Sequence, residues 1–403
     1  MKIAFLNPSG QLGGAERSLL DILASLRAAE PGWDMRLVAT ADGPLVSGAE
    51  SLGVHSTVLP LPPALAQLGD GGADGAGKGG SLLKLLRAGP TAAAYASRLR
   101  ETLRELAPDV VHSNGFKMHV LGLWTRPRRT PVVWHVHDFV GRRPVMSMLL
   151  RSHARRCAAV VANSRSVAAD VTAVCRGVVP VHPVYNAIDL DVFNPAGQTL
   201  DLDAAAGIPT PHSGTVRVGL VATLGWWKGH ETFLRAVSLL PRDLPFRAYV
   251  VGGALYETAD SQHSLDHLRN LAGRLGVFDR VGFTGYVPDA AAAMRALDVV
   301  VHASTEPEPF GLVIVEAMGC GRAVIASQAG GAAELITAGE NALGHRPGDA
   351  AGLARCIEAL VRDRDLRLRL GEAGRATVER SFDRARLAAE LAPIYRAVAV
   401  GRN

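Results

Sequence analysis

Cysteine is scarce, with four in 403 residues. Cys157, Cys175, Cys320 and Cys356 stand far apart, and no two form a C-x-x-C pair. That excludes a disulfide framework and a cysteine metal cluster; the four read as small buried apolar residues of a reducing compartment. Long apolar runs are missing too. No stretch is long enough to cross a bilayer, and Met1-Lys2 leads straight into a strand-like segment, so neither a signal peptide nor a spanning helix is expected. The fingerprint G-x-G-x-x-G is absent. Residues 72–78 do spell G-x-x-x-x-G-K, but Gly79 follows where Ser or Thr should bind magnesium, and no buried strand precedes it, so this is not a phosphate-binding P-loop. There is no aromatic interleaving and no zinc pattern, and no nucleic-acid partner is expected.

What is present describes an ordinary folded chain. Apolar residues make up 48% and charged residues 20%, enough for two domains with good cores. A net charge of +5 admits an anionic ligand or surface without identifying one. Strand-like runs at 2–6, 35–40, 54–59, 110–113, 132–137 and 158–162 alternate with helical patterns such as Leu99, Leu103 and Leu106. A second set follows at 216–222, 246–251, 280–283, 298–303 and 323–326. This alternation predicts two doubly wound parallel sheets. Residues 181–215, rich in Pro, Gly and Asp, read as the linker between them, and the amphipathic pattern from Asp383 to Val398 as a last helix. Residues 69–80 hold seven glycines and read as a flexible loop, followed by a short basic helix at 81–87.

The densest chemistry lies in residues 298–318, DVVVHASTEPEPFGLVIVEAM. An apolar strand leads to Pro307 and Pro309, which block helix and hold Glu308 in a strand-end loop. A helix can begin near Phe310, where unpaired amides suit phosphate. Glu316 follows within that helix. Read alone, the same pattern fits equally well a strand-helix unit with solvated glutamates. Ligands of parallel sheets bind beyond the carboxyl ends of the strands. In the first half those ends carry Asn7, Ser9, Ser113, Asn114, His137, Asp138, Asn163 and Ser164. Lys228 follows the strand at 216–222 and can act as a point charge for phosphate. Between residues 126 and 156 stand eight arginines against one acid, Asp138; the plain reading is a solvated face, the second an anionic membrane surface or acceptor.

Several elements stand in one order: G-G-A-E-R from Gly13, His137-Asp138 at a strand end, N-A-I-D at Asn186, W-K-G-H ending at His230, and E-P-F-G-x-x-x-x-E-A-M from Glu308. Together they resemble the family-4 glycosyltransferases, retaining enzymes of the GT-B fold. The resemblance implies an α/β chain of two Rossmann-like domains facing a cleft. Residues 1–190, with a returning C-terminal helix in 383–403, would form the acceptor domain, and 191–382 the nucleotide-sugar donor domain. It implies catalytic roles for His137, Lys228 and Glu308. Gly13, Gly14, Thr223, Phe310, Gly311, Leu312 and Glu316 would line the donor, with Glu316 on the ribose. Ser9, Asn114, Asp138 and Asn163 would lie on the acceptor side. No metal and no cofactor are expected beyond a UDP-, GDP- or ADP-sugar as co-substrate. The acceptor would be a glycan, a lipid-linked sugar or a small molecule. The expected location is cytoplasmic, peripheral at the inner membrane face.

One departure stands out. Many members carry Gly-Arg where this chain has Ala222-Thr223. The lost charge-assisted contact is worth roughly 1.5–3 kcal/mol, and Arg322 or an arginine of the first domain is the expected substitute. A catalytically weak or inactive nucleotide-sugar-binding protein of the GT-B fold is the alternative. A glycoside hydrolase using Glu308 as acid and Glu316 as nucleophile is a further reading.

Overall fold

The structure is a computed structural model and describes residues 1–63, 78–253 and 262–401. The chain divides into two compact units. Unit 1 comprises Met1–Asn186 and Arg384–Asn403, and unit 2 comprises Ala187–Asp383.

Unit 1 is a seven-stranded parallel sheet. Its strands are β1 (Lys2–Asn7), β2 (Asp34–Ala39), β3 (His55–Val58), β4 (Val110–Asn114), β5 (Val132–Val136), β6 (Ala159–Ala162) and β7 (Val181–Pro183), in the order β3-β2-β1-β4-β5-β6-β7. The inner strands are buried on both faces, as their unbroken apolar runs require. Unit 2 is a six-stranded parallel sheet of β8 (Val216–Val221), β9 (Phe246–Val251), β10 (Val281–Gly285), β11 (Val299–His302), β12 (Ala323–Ser327) and β13 (Leu343–His345), in the order β10-β9-β8-β11-β12-β13. In both sheets the chain winds outward from the first strand on one side and then returns to pair on its other side. That places a topological switch point between β1 and β4, and another between β8 and β11, where such sheets bind ligands.

Two edge strands are missing from the sequence reading. The segment expected as linker at 181–215 begins with β7, paired in parallel with β6, and contains the short helix Leu202–Ala206, capped by the Asp201 side chain. Val-His-Pro and Leu-Gly-His (β13) carry too few apolar residues to show a strand period, and both are held by pairing with a neighbour. The glycine-rich stretch at 69–80 lies outside the described residues up to 77. Lys78 to Gly80 are not loop but the start of the helix Lys78–Leu106, which takes in the expected basic helix.

The last helix, Arg386–Val400, belongs to unit 1 and packs on the helix Gly14–Ala29. The Ser25 hydroxyl donates to the Ala385 carbonyl at 3.2 Å and accepts from the Ala388 amide at 3.0 Å. The Tyr395 hydroxyl lies 2.9 Å from His112 Nδ1 inside the core. No helix among the described residues is long and apolar enough to cross a membrane.

Candidate active site

In unit 2 the turn after β8 and the loop after β11 meet at the switch point. The Trp227 carbonyl accepts from the Thr305 amide at 2.8 Å and its hydroxyl at 3.3 Å. Gly229 then passes beneath the Ala303 carbonyl with φ +78°, and a Cβ there would stand 1.9 Å from that oxygen. Only glycine allows so close a crossing, and it fixes the residue before it. Lys228 Nζ donates to Glu308 Oε1 at 2.8 Å and Oε2 at 3.0 Å.

Glu308 is further held by the Ser304 hydroxyl at 2.7 Å and by His302 Nε2 at 3.5 Å. Ser304 is anchored in turn, its carbonyl accepting from the Ser327 hydroxyl at 2.7 Å. Burial alone would push the Glu308 carboxyl up, but the Lys228 charge and the His302 hydrogen bond outweigh it and hold the group well below the usual carboxylate range. A carboxylate so firmly ionised makes a poor general acid, which argues against the hydrolase reading.

The helix after this loop runs Leu312–Gly319, two residues later than expected. Gly311, with φ +99°, precedes it and offers no side-chain cap. A Cβ on Gly311 would lie 3.7 Å from Glu308 Cγ, so the helix start stands beside the carboxylate. Phe310 is buried, its ring 6.1 Å from that of Phe382. Glu316 lies on the next turn, 9% exposed. Thr223 is half-buried in the turn after β8. Arg322 cannot take the place of the missing arginine. It stands at the opposite end of the sheet, just before β12, with its guanidinium on the carbonyls of Cys320, Arg295 and Leu297.

In unit 1 the switch point is closed by amides. Asn114 Nδ2 donates to Asn7 Oδ1 at 2.7 Å, and Asn7 Nδ2 donates to the Ser9 carbonyl at 2.7 Å and Glu16 Oε1 at 3.3 Å. Glu16 Oε2 accepts from the Gly13 amide at 3.1 Å, so that amide is already engaged in the chain's own capping box. Burial raises the Glu16 carboxyl above its ordinary value. Gly14 opens the helix, and the Ser9 hydroxyl accepts from the Gln11 amide at 3.0 Å.

His137 follows β5 with its ring 3.9 Å from that of His135. Burial pushes it down to about 3, so it is neutral at physiological pH. Neither of its ring nitrogens has a hydrogen-bond partner among the described residues. Asn163 Nδ2 donates to the His137 carbonyl at 3.3 Å, and its own Oδ1 has no partner among the described residues. Asp138 is bound to Arg143 at 2.7 Å and to the Phe139 amide at 2.8 Å. The sequence-predicted residues thus fall into a Lys228–Glu308–Gly311 group in unit 2, and the Asn114 and His137–Asn163 groups in unit 1. Of the arginines at 126–156, Arg126 and Arg151 also hold carbonyls, while Arg128, Arg129, Arg155 and Arg156 are exposed.

Sequence reasoning missed Ser304 and His302, which hold Glu308, and the Asn7–Glu16 contact that ties Asn114 to the first helix. Their signal was available as polar residues at the ends of apolar strands, within six residues of Glu308 in one case and nine residues apart in the other.

Residues 210–377 match the family of glycosyl transferases group 1, and residues 12–192 match glycosyltransferase family 4. The lipopolysaccharide core biosynthesis mannosyltransferase LpcC of Rhizobium leguminosarum bv. viciae is 31% identical over 303 residues, covering 69% of this chain and 82% of that one. The lipopolysaccharide core biosynthesis glycosyltransferase LpsE of Rhizobium meliloti is 35% identical over 195 residues, 48% of this chain and 52% of that protein, so the chain spans about half its length. Among solved structures, Anabaena Alr3699/HepE in complex with UDP and glucose superposes with a TM-score of 0.75 at 27% identity, covering 98% of this chain and all of that one. The two parallel sheets, the polar switch points and these matches together place the chain in the family-4 glycosyltransferases, as a transferase of the GT-B type.

Proposed function

We propose that this glycosyltransferase takes a nucleoside-diphosphate sugar in unit 2 and transfers the sugar, with retention of configuration and without a catalytic metal, to an acceptor held by unit 1. The observation that carries the reading is Lys228, bidentate on Glu308 beside the uncapped start of the helix Leu312–Gly319. Breaking an anomeric C–O bond leaves its electron pair on a diphosphate oxygen, and a fixed cation with aimed amides lowers that barrier. Lys228 supplies the cation, shared between Glu308 and phosphate once the donor is in place. Phe310, Gly311 and Leu312 supply the amides. Glu308, held ionised, accepts hydrogen bonds from the sugar hydroxyls, and Glu316 from the ribose. Thr223 can hydrogen-bond a phosphate but brings no charge.

His137, a neutral ring whose nitrogens have no partner among the described residues, is unit 1's candidate contact for the sugar. Ser9, Asn114, Asp138 and Asn163 line the acceptor side. The HepE complexes hold UDP with glucose and UDP-glucose, and a UDP-sugar is therefore the first donor to try. Relatives named for lipopolysaccharide core synthesis favour a lipid-linked glycan as acceptor. The exposed arginines at 126–156 suit an anionic membrane surface; failure to co-sediment with anionic vesicles at low salt would remove that part.

The test is release of nucleoside diphosphate from UDP-, GDP- and ADP-sugars by the purified chain. Release with one donor, slowed on the order of 100- to 1,000-fold by Lys228→Ala, is the expected result; wild-type release by that variant would overturn the role of Lys228. Thr223 favours a second reading, a binding protein without turnover. In that case UDP raises the unfolding temperature, yet no donor is consumed with any acceptor tried.

A further inference from the structure

A second cluster of chemistry-bearing side chains lies in unit 2, apart from the Lys228–Glu308 pair. Glu231 stands in the first turn of the helix His230–Ser238. His263 immediately precedes Ser264, the residue that caps the helix Leu265–Arg274, and His267 lies in that helix's first turn. The two imidazoles stack face to face, centroids 4.9 Å apart and planes within 6°. Glu231 Oε1 lies 3.1 Å from His267 Nε2. One donor atom from each of the three residues falls within 4.8 Å of the others. A tetrahedral ion with bonds of about 2.0–2.2 Å sets its ligands roughly 3.3 Å apart, so ion binding draws the three side chains together.

An ordinary ion pair explains the Glu231–His267 contact. It gives no role to His263, one of whose ring nitrogens lies within 4.8 Å of the other two donor atoms; an imidazole lone pair lies in its ring plane, so binding an ion requires the stacked His263 ring to turn out of its parallel packing. We propose that Glu231, His263 and His267 bind one divalent ion of the zinc class, which pins the segment carrying Lys228 to the helix Leu265–Arg274. Two nitrogen donors and one carboxylate select a borderline transition ion over calcium or magnesium, which take oxygen. Three protein donors leave the remaining position to water. This is a site the cysteine pattern could not announce, because its signal is H-x-x-x-H at 263–267.

The pinning follows from connectivity. Glu231 is three residues beyond Lys228. On the other side the His263 amide donates to the Leu224 carbonyl at 2.8 Å, and Gln262 bridges Gly225. The bound ion would therefore close a loop through the turn at 224–228 and both helix starts, while remaining outside the transfer chemistry.

The experiment uses the full chain without a histidine tag, stripped by chelator and dialysed against zinc, with cobalt as the spectroscopic probe. One equivalent of zinc per chain, intense tetrahedral-type cobalt bands and a zinc-dependent rise in unfolding temperature are expected. His263→Ala and Glu231→Gln should each weaken binding by more than the roughly 10- to 100-fold attached to losing an outer-shell partner. His55→Ala, an exposed histidine of unit 1, should leave binding unchanged. Glu231→Gln keeps the side-chain length and an acceptor for His267, and metal-free unfolding temperatures of all variants establish that they fold. Zinc bound equally well by His263→Ala and Glu231→Gln, or no binding by the unmodified chain, overturns the site.

Discussion

Units 1 and 2 use one winding scheme and fill its switch point with opposite chemistry. In unit 1 the ends of β1 and β4 are joined by Asn7 and Asn114, with Glu16 capping the first helix. These contacts are polar and, among the described residues, involve no cation, and burial raises the Glu16 carboxyl. In unit 2 the loops after β8 and β11 are joined by Lys228 and Glu308, and the carboxyl is held far down. The backbone sets where a ligand can sit; whether the site is charged depends on whether a cation follows the first strand. A network of amides mainly fixes a loop, whereas a cation beside the start of a helix can also stabilise an anion that forms during a reaction.

The sharpest way to test this contrast is to delete the cation. Lys228→Ala should lower the rate constant for transfer by on the order of 100- to 1,000-fold, read as diphosphate release at saturating donor. Asn114→Ala should cost about 1–3 kcal/mol of stability, because Asn7 Oδ1 loses its donor, and lower the rate far less than Lys228→Ala does. Equal losses of rate in both variants would erase the distinction between the units.

The two crossings can be compared next. Gly229 and Gly115 share φ +78°, but a Cβ on Gly229 meets the Ala303 carbonyl oxygen at 1.9 Å, whereas one on Gly115 meets the Pro8 ring at 2.8 Å. Gly229→Ala should cost about 3 kcal/mol or more, since backbone must move, and Gly115→Ala less, about 1–3 kcal/mol. Thermal unfolding of the two variants decides it, and the reverse order would break the account.

The smallest effect is in pH, with opposite signs in the two units. The Glu308 value is depressed on folding, so its contribution to stability is present above its ordinary 4.5 and drains as pH falls below that toward the depressed value. The Glu16 value is raised, so its contribution is present below 4.5 and is lost as pH climbs through the raised value. Relative to the unmodified chain, Glu308→Gln should be destabilised most near neutrality, with the gap narrowing in acid. Glu16→Gln should gain relative stability as pH rises. Unfolding temperatures from about pH 3 to about pH 7 measure both, and parallel curves would show that the two carboxyls do not differ.

Much of this was legible from residues. Apolar runs such as 132–136 and 299–302 announce buried strands because the sheet covers them on both faces, and Pro307 and Pro309 announce the loop that carries Glu308. Three-residue edge strands β7 and β13 were not legible, since hydrogen bonding to a neighbour makes them strands and their composition does not. Arg322 immediately precedes the strand expected at 323–326, which in a parallel sheet already puts it at the amino ends of the strands, away from Lys228. The family resemblance rested on short motifs in a fixed order, each lying just C-terminal to a strand of one of the two sheets.

By itself the sequence determined two parallel sheets, the family, and the residue types available at the strand ends, because periodicity and turn chemistry are local properties. Only the tertiary structure decided which of those residues meet. Lys228 and Glu308 are 80 positions apart and touch because β8 and β11 pair side by side; His263 and Glu231 come together because two helix starts are held by one turn. Pairing between distant segments is a property of the packed chain, and no local pattern encodes it.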